Sequence, residues 1–190
     1  KLIIGIPIKN DLESFKEMFK SLVQSTNIYD KIVLAVGYGT NEETEKWLSD
    51  NSGWFEISKE RFKTPLEAYN YLFEMAKEEK SDLFLTQTDV LFPRLYKRDW
   101  LAIMKDITKD KNIGAVMSLN GGGISGPEYI NGFAWAGTWS TLIRNEVVEK
   151  LGKNMFLDEK FGKGFGDDID MTYRVINAGY KLGKAWFWID

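Results

Sequence analysis

The fold class is set by residues 2–36, which read LIIGIPIKNDLESFKEMFKSLVQSTNIYDKIVLAV. Residues 2–8 are apolar and rich in β-branched side chains, which is typical of a buried parallel strand. A helix is predicted next, because Asn10 and Glu13 have the spacing of a helix cap. Its apolar positions recur at helical spacing: Leu12, Phe15, Phe19, Leu22 and Val23. Residues 32–36 repeat the strand pattern, so we expect an α/β fold with a parallel sheet.

The same alternation continues along the chain. Thr40 with Glu43 predicts the start of a second helix. Thr64 as cap, Pro65 as first helical residue and Glu67 closing a capping box predict a third. The remaining expected elements are strands at 82–86, 113–119 and 140–143, helices at 100–107, 145–151 and from 168 to before Gly179, and a closing strand.

Composition excludes several classes of function. The 190 residues include no cysteine and no histidine, which excludes disulfides, thiolate metal sites, histidine-based triads and imidazole zinc sites. Lysine and arginine number 25 against 28 acidic residues, and the net charge of -3 provides no basic footprint for nucleic acid. No nucleic-acid partner is therefore expected, and any acid, base or metal chemistry must use carboxylates.

Hydrophobic patterning bears on location and domain count. No apolar run approaches the roughly 20 residues that cross a bilayer, so no transmembrane segment is expected. No signal-peptide pattern opens the sequence, which favours a cytoplasmic location. The length, with no linker rich in Pro, Gly and Ser, predicts a single domain over 1–190.

Asp89 is the first candidate for chemistry. It closely follows the strand expected at 82–86, and open α/β sheets bind ligands at the carboxyl ends of their strands. A carboxylate there can hold Mg²⁺ or Mn²⁺ against a diphosphate, because hard cations prefer oxygen ligands. Capping of a turn is the alternative role, and the residue pattern alone leaves both open.

A second acidic segment, GFGDDID at 164–170, carries adjacent carboxylates to the start of a helix. The positive end of the helix dipole favours the ionised form of Asp168, which a general base near neutral pH requires. Acidic residues are also common at helix starts for structural reasons. Asp170 lies four residues before Arg174, and we assign these two to a structural ion pair.

Residues 120–139 form the longest stretch without a regular pattern, and four of its glycines lie close together at 121, 122, 123 and 126. We expect Gly121, Gly122 and Gly123 to form a lid or acceptor loop. No helix pattern follows directly, which excludes a phosphate-cradling P-loop. Trp135 is a candidate for stacking on a sugar ring, with a core position as the alternative.

Five motifs in chain order resemble glycosyltransferase family 2, whose members have the GT-A fold. The motifs are IPIKN at 6–10, GYGTNEET at 37–44, the helix start at 64–70, QTD at 87–89, and GDDIDMTYR at 166–174 followed by AGY at 178–180. The resemblance implies a Rossmann-like GT-A domain with a mixed, mostly parallel sheet flanked by helices. It also implies a nucleotide-binding half at 1–89 and an acceptor and catalytic half at 90–190.

The resemblance further implies the role of each matched residue. Asp89 would hold Mn²⁺ or Mg²⁺ on the diphosphate of a nucleotide-diphosphate sugar. Asp168, with Asp167 as the alternative, would deprotonate the acceptor hydroxyl in an inverting transfer. The acceptor would be a glycan, a protein or a lipid-linked sugar. The residues expected around the nucleotide are Pro7, Ile8, Asn10, Asp11, Tyr38, Asn70, Gln87 and Thr88.

Two positions depart from the family pattern. Gly37 stands where the family usually has an aspartate that reads the nucleotide base, so we expect Asp11 or Tyr38 to read it. Gln87 stands where the first carboxylate of the metal motif often lies, and Asp89 remains the only carboxylate there.

Two other functions remain as alternatives. A non-catalytic module that binds a nucleotide or glycan is favoured by the two departures, whereas the Asp167 and Asp168 pair favours an enzyme. A nucleotidyltransferase would need an early, glycine-rich basic loop, and the first turn at 9–11 reads KND. Glycosyl transfer is therefore the function that we expect.

Overall fold

The computed structural model describes residues 1–95, 98–120, 129–130, 133–134, 140–151 and 167–189. Within these ranges the strands are β1 (Leu2–Ile8), β2 (Lys31–Val36), β3 (Glu56–Ile57), β4 (Asp82–Thr86), β5 (Ile113–Asn120), β6 (Tyr129–Ile130), β7 (Phe133–Ala134), β8 (Ser140–Ile143) and β9 (Lys181–Ile189). The helices are α1 (Leu12–Ser25), α2 (Glu42–Asp50), α3 (Pro65–Glu78), α4 (Trp100–Ile107), α5 (Asn145–Leu151) and α6 (Asp167–Asn177). None of the helices in the described ranges has the length and apolar character to cross a membrane.

Seven strands form one sheet in the order β3-β2-β1-β4-β8-β5-β9. Strand β8 is antiparallel to both of its neighbours, β4 and β5, and all other adjacent pairs are parallel. This confirms the mixed, mostly parallel sheet. β1 lies between β2 and β4, so the strand order reverses at β1, and the carboxyl ends of these three strands share one edge. Such a switch point is where open α/β sheets place their ligands.

Apolar residues are buried on both faces of the sheet, as the continuous apolar pattern of β1 predicts. On one face Ile4 and Ile6 join a core with α1 and α4, which contribute Phe15 and Trp100. On the other face Ile3 joins a core to which α3, α5 and α6 contribute, among others, Leu72, Val147 and Met171. The helices therefore flank the sheet on both sides, as expected.

The predicted cap of α1 was wrong. Asp11, not Asn10, occupies the N-cap position, and its side chain makes no capping hydrogen bond. The Asn10 side chain instead accepts a hydrogen bond from the backbone N–H of Asn41, at 2.8 Å. A tertiary contact to the turn after β2 has thus replaced the local cap.

The predicted start of α2 was wrong by one residue, whereas that of α3 is confirmed. Asn41 caps α2 by accepting from the Thr44 N–H at 2.8 Å, while the Thr40 hydroxyl donates to the Gly37 carbonyl at 2.7 Å. Thr64 caps α3 by accepting from the Glu67 N–H at 3.2 Å, with Pro65 as the first helical residue. This cap fixes the helix end beside the sheet edge described below.

Lys31 joins three elements at the opposite edge of the sheet. Its ammonium donates to Glu56 of β3 at 2.8 Å and to Glu79 at the end of α3 at 2.5 Å. Partial burial lowers the pKa of Lys31, but hydrogen bonds to these two glutamates and their charges outweigh it, so the pKa lies above its ordinary 10.5. Because the folded pKa is raised, the stabilisation is fully present below pH 10.5 and is lost as pH rises through the folded value.

We predict that Lys31→Met lowers the free energy of unfolding by about 1 kcal/mol at neutral pH, and that this difference from wild type shrinks at strongly alkaline pH. Urea unfolding of both proteins at a series of pH values measures it. Lys46→Met is the matched control, since Lys46 pairs with an exposed partner, Asp50. Equal effects of the two substitutions at neutral pH would contradict a stabilising role for the ion pairs of Lys31 with Glu56 and Glu79.

Candidate functional site

A cleft of about 520 Å³ opens at the edge where β1, β2 and β4 end. Its walls come from the residues that follow these strands and from the first turns of α3. The volume lies in the range of small-molecule sites, and its position at the switch point of the sheet is the one that the fold favours for a ligand.

The cleft has an apolar end beside β2 and α3. Ala35, Phe62, Pro65 and Ala68 contribute to it. Phe62 is held next to the end of β2 by a parallel bridge to Gly37, and its carbonyl accepts from the Tyr38 N–H at 2.6 Å. The flat face of an aromatic ring such as a nucleotide base can pack against these apolar side chains, while the polar edge of the ring still needs hydrogen-bond partners.

The other end of the cleft is polar and acidic. Asp11, Thr88 and Asp89 line it, and the Thr88 hydroxyl donates to the Asp11 carboxylate at 3.3 Å. Gln87 lies beside them, and its side-chain amide donates to the Tyr69 hydroxyl at 3.0 Å. The turn after β1 and the residues after β4 are thereby brought together, and two carboxylates from distant parts of the chain share one cleft.

The acidic end offers two carboxylates to a divalent cation that is shared with a substrate. No group of three or more acidic, histidine or cysteine side chains able to hold a metal occurs among the described residues. Mg²⁺ and ions like it often bind through one or two carboxylates, several waters and the phosphates of a ligand. Asp89 and Asp11 supply the oxygen ligands that such an ion prefers.

The structure brings together most of the residues predicted for the nucleotide. Those that line the cleft are Pro7, Ile8, Asp11, Gln87 and Thr88, and Asp89, the residue predicted for the metal, lines it with them. Three others do not line it. Asn10 contacts Asn41, Tyr38 is 66% exposed, and Asn70 is buried within α3.

Sequence reasoning missed several cleft residues, and different signals bear on them. Lys9 directly follows β1, so its position at a strand end was a usable signal. Lys63 directly precedes Thr64, the predicted cap of α3, so its place beside the cleft was also predictable. Phe62 and Tyr69 had no such signal, because Phe62 reaches the cleft through its pairing with Gly37 and Tyr69 through the packing of α3 against the sheet.

Asp167 and Asp168 are the first two residues of α6, which confirms a helix start there. Only a short turn separates α6 from β9, and β9 runs parallel to β5. Helix α6 packs back along β9, so it begins toward the carboxyl edge of the sheet, the edge that carries the cleft. Arg174 donates to Asp170 at 2.5 Å, which confirms the structural pair.

The predicted lid residues Gly121, Gly122, Gly123 and Trp135 lie outside the described residues. Their roles stay predictions.

No protein-family model matches the sequence, and no curated protein matches it significantly. Solved structures match over nearly the whole chain. The mannosyltransferase PcManGT from Pyrobaculum calidifontis, in complex with GDP-Man and Mn²⁺, is similar with a TM-score of 0.66 and 17% identity over 98% of this chain and 56% of that one.

Two further solved structures are similar. GalNAc-T7 with UDP, GalNAc and Mn²⁺ has a TM-score of 0.70 and 13% identity, over 99% of this chain and 44% of that one. Glucosyl-3-phosphoglycerate synthase from Mycobacterium tuberculosis, with Mn²⁺, UDP and phosphoglyceric acid, has a TM-score of 0.66 and 13% identity, over 99% of this chain and 69% of that one. The chain spans about half the length of the first two proteins. These similarities show that it has the GT-A fold of nucleotide-diphospho-sugar transferases.

Proposed function

We propose that the protein is a metal-dependent glycosyltransferase that moves a sugar from a nucleotide-diphosphate sugar to an acceptor hydroxyl with inversion. The observation that carries the proposal is the cleft at the switch point, with an apolar end at β2 and α3 and the carboxylates of Asp11 and Asp89 at the other end. Solved proteins of this fold that contain GDP-Man or UDP together with Mn²⁺ support it.

The two ends of the cleft match the two ends of the donor. The base packs at the apolar end, and Pro7 and Ile8 at the end of β1 contact the base and ribose. Asp89 would hold Mn²⁺ or Mg²⁺, and the ion would supply positive charge to offset the charge of the leaving diphosphate. Asp11 and Thr88, which are joined by a hydrogen bond, lie between the ribose and the diphosphate in this proposal, and Asp11 would be a further oxygen ligand for the ion.

The transfer step uses a carboxylate at the start of α6. The acceptor oxygen attacks the anomeric carbon, the bond from that carbon to the diphosphate breaks, and the acceptor proton passes to Asp168, with Asp167 as the alternative base. The acceptor is a glycan, a protein or a lipid-linked sugar. In this account residues 1–190 act as one domain, with the donor bound by 1–89 and the acceptor by 90–190.

One alternative function is supported by specific residues. Gly37 lacks a side chain at the base end, and Gln87 replaces a carboxylate next to Asp89. A non-catalytic module that binds a nucleotide or glycan would need neither residue to be acidic. A nucleotidyltransferase is less well supported, because the turn after β1 is not rich in glycine.

Release of nucleoside diphosphate from a panel of nucleotide sugars distinguishes these functions. We expect slow, Mn²⁺-dependent release without an acceptor, because water replaces the acceptor hydroxyl, and EDTA should abolish it. Tight binding of a nucleotide sugar without release, both without an acceptor and with glycan, protein and lipid-linked acceptors, would contradict the transferase and support the binding module.

A further inference from the structure

Lys9 lies across the ends of β1 and β2 and lines the cleft. A Cβ atom placed on Gly37 would lie 3.1, 3.2 and 3.3 Å from Cγ, Cβ and Cδ of Lys9. The missing side chain of Gly37 therefore makes room for the aliphatic part of Lys9. Lysine commonly packs its methylene groups on a surface in this way and leaves its ammonium group in solvent.

The two turns that carry Lys9 and Gly37 are fixed to each other. The Gly37 N–H donates to the Ile8 carbonyl at 2.7 Å, and the Asn10 side chain accepts from the Asn41 N–H at 2.8 Å. These hydrogen bonds hold the backbone on both sides of Lys9. The first three carbons of the Lys9 side chain therefore lie against the end of β2, and its ammonium group is within reach of the cleft that Lys9 lines.

The charges that line the cleft are divided between its ends. Asp11 and Asp89 lie on one side, at the turn after β1 and the end of β4. Lys63 lies on the other side, near β2 and α3, and the side chain of Lys9 contacts Gly37 on that same side. No ion pair of Lys9 or Lys63 occurs among the described residues. The charged side chains that line the cleft on the side of β2 and α3 are therefore hydrogen-bond donors, and its carboxylates lie on the other side.

We propose that Lys9 reads the base of the donor nucleotide by donating to a ring carbonyl, so that the site prefers uracil or guanine to cytosine or adenine. This inference rests on the proposed donor site. Lysine has three donors and no acceptor. Uracil and guanine present a carbonyl oxygen where cytosine and adenine present an amine, which cannot accept a hydrogen bond from lysine. Lys9 thus takes the role that the sequence assigned to Asp11 or Tyr38.

Calorimetric titration with UDP, GDP, CDP and ADP in the presence of Mn²⁺ tests the inference. Wild type should bind UDP or GDP at least about tenfold more tightly than CDP and ADP, the effect of one charged hydrogen bond. Lys9→Met should reduce this ratio to about threefold or less. Lys20→Met, which removes an exposed lysine on α1 that does not line the cleft, is the control for lost charge and should keep the wild-type ratio.

Gly37→Ala separates the position of the ammonium group from its charge. The new methyl group meets only the flexible side chain of Lys9 within this contact range, so the fold should persist while the lysine moves. We expect the base preference to fall by about threefold or more, with an unchanged melting temperature.

The possible outcomes separate this inference from the proposed function. If no nucleotide binds to wild type, the donor site itself is wrong. If one nucleotide binds but wild type shows no preference between the two classes of base, or if Lys9→Met keeps the wild-type ratio, the assignment to Lys9 is wrong and the donor site stands.

Discussion

Asp168→Asn lowers the turnover number for sugar transfer by about 10²–10⁴-fold, the range that general base catalysis contributes. Asparagine has nearly the same shape as aspartate and keeps a polar side chain at the start of α6, but it cannot accept the acceptor proton. Binding of the donor should remain unchanged, because the proposed donor site lies at the ends of β1, β2 and β4. Steady-state kinetics together with calorimetric titration of the donor measure both effects.

Two neighbouring carboxylates complete this experiment. Asp167→Asn shows which of the adjacent residues is the base, since only one of the two variants should have the full effect. Asp170→Asn is the matched control on the same helix, because Asp170 pairs with Arg174. Wild-type turnover in both the Asp167 and the Asp168 variants would place the base elsewhere in the chain.

Asp89→Ala lowers kcat/KM by at least about 100-fold and removes the response of the rate to Mn²⁺, since about 3 kcal/mol or more of charge stabilisation is lost. The effect is expected to be large because Asp89 and Asp11 are the carboxylates that the described cleft contributes. Rates at increasing Mn²⁺ concentrations measure it. Asp50→Ala removes an exposed carboxylate of α2 and should leave the rate unchanged. An unaltered Mn²⁺ response in Asp89→Ala would contradict the metal assignment.

The sequence predicted the elements whose causes are local. The apolar run of β1 is buried on both faces, as expected of a parallel strand. Thr64 and Pro65 start α3 because a cap and its first helical residue depend only on the neighbouring backbone. The prediction from Asn10 was wrong because this side chain binds the turn after β2. A hydrogen-bond partner that is distant in the sequence cannot be predicted from the spacing of neighbouring residues.

Strand pairing and parts of the cleft depend on distant contacts. The two residues of β3 are too short for a periodic pattern, and nothing in the sequence of β8 specifies its insertion between β4 and β5. Asp89 was predictable because it closely follows a strand end at the ligand edge. Phe62 was not, since it reaches the cleft through its pairing with the residue after β2.

The most direct test of the proposed donor site is calorimetric titration of the wild-type protein and of Asp89→Ala with UDP and GDP, each with and without Mn²⁺. We expect one of the two nucleotides to bind to wild type, with an affinity that falls at least about tenfold without Mn²⁺. Asp89→Ala should bind it equally weakly with and without the metal. Failure of wild type to bind either nucleotide under both conditions would contradict the donor site.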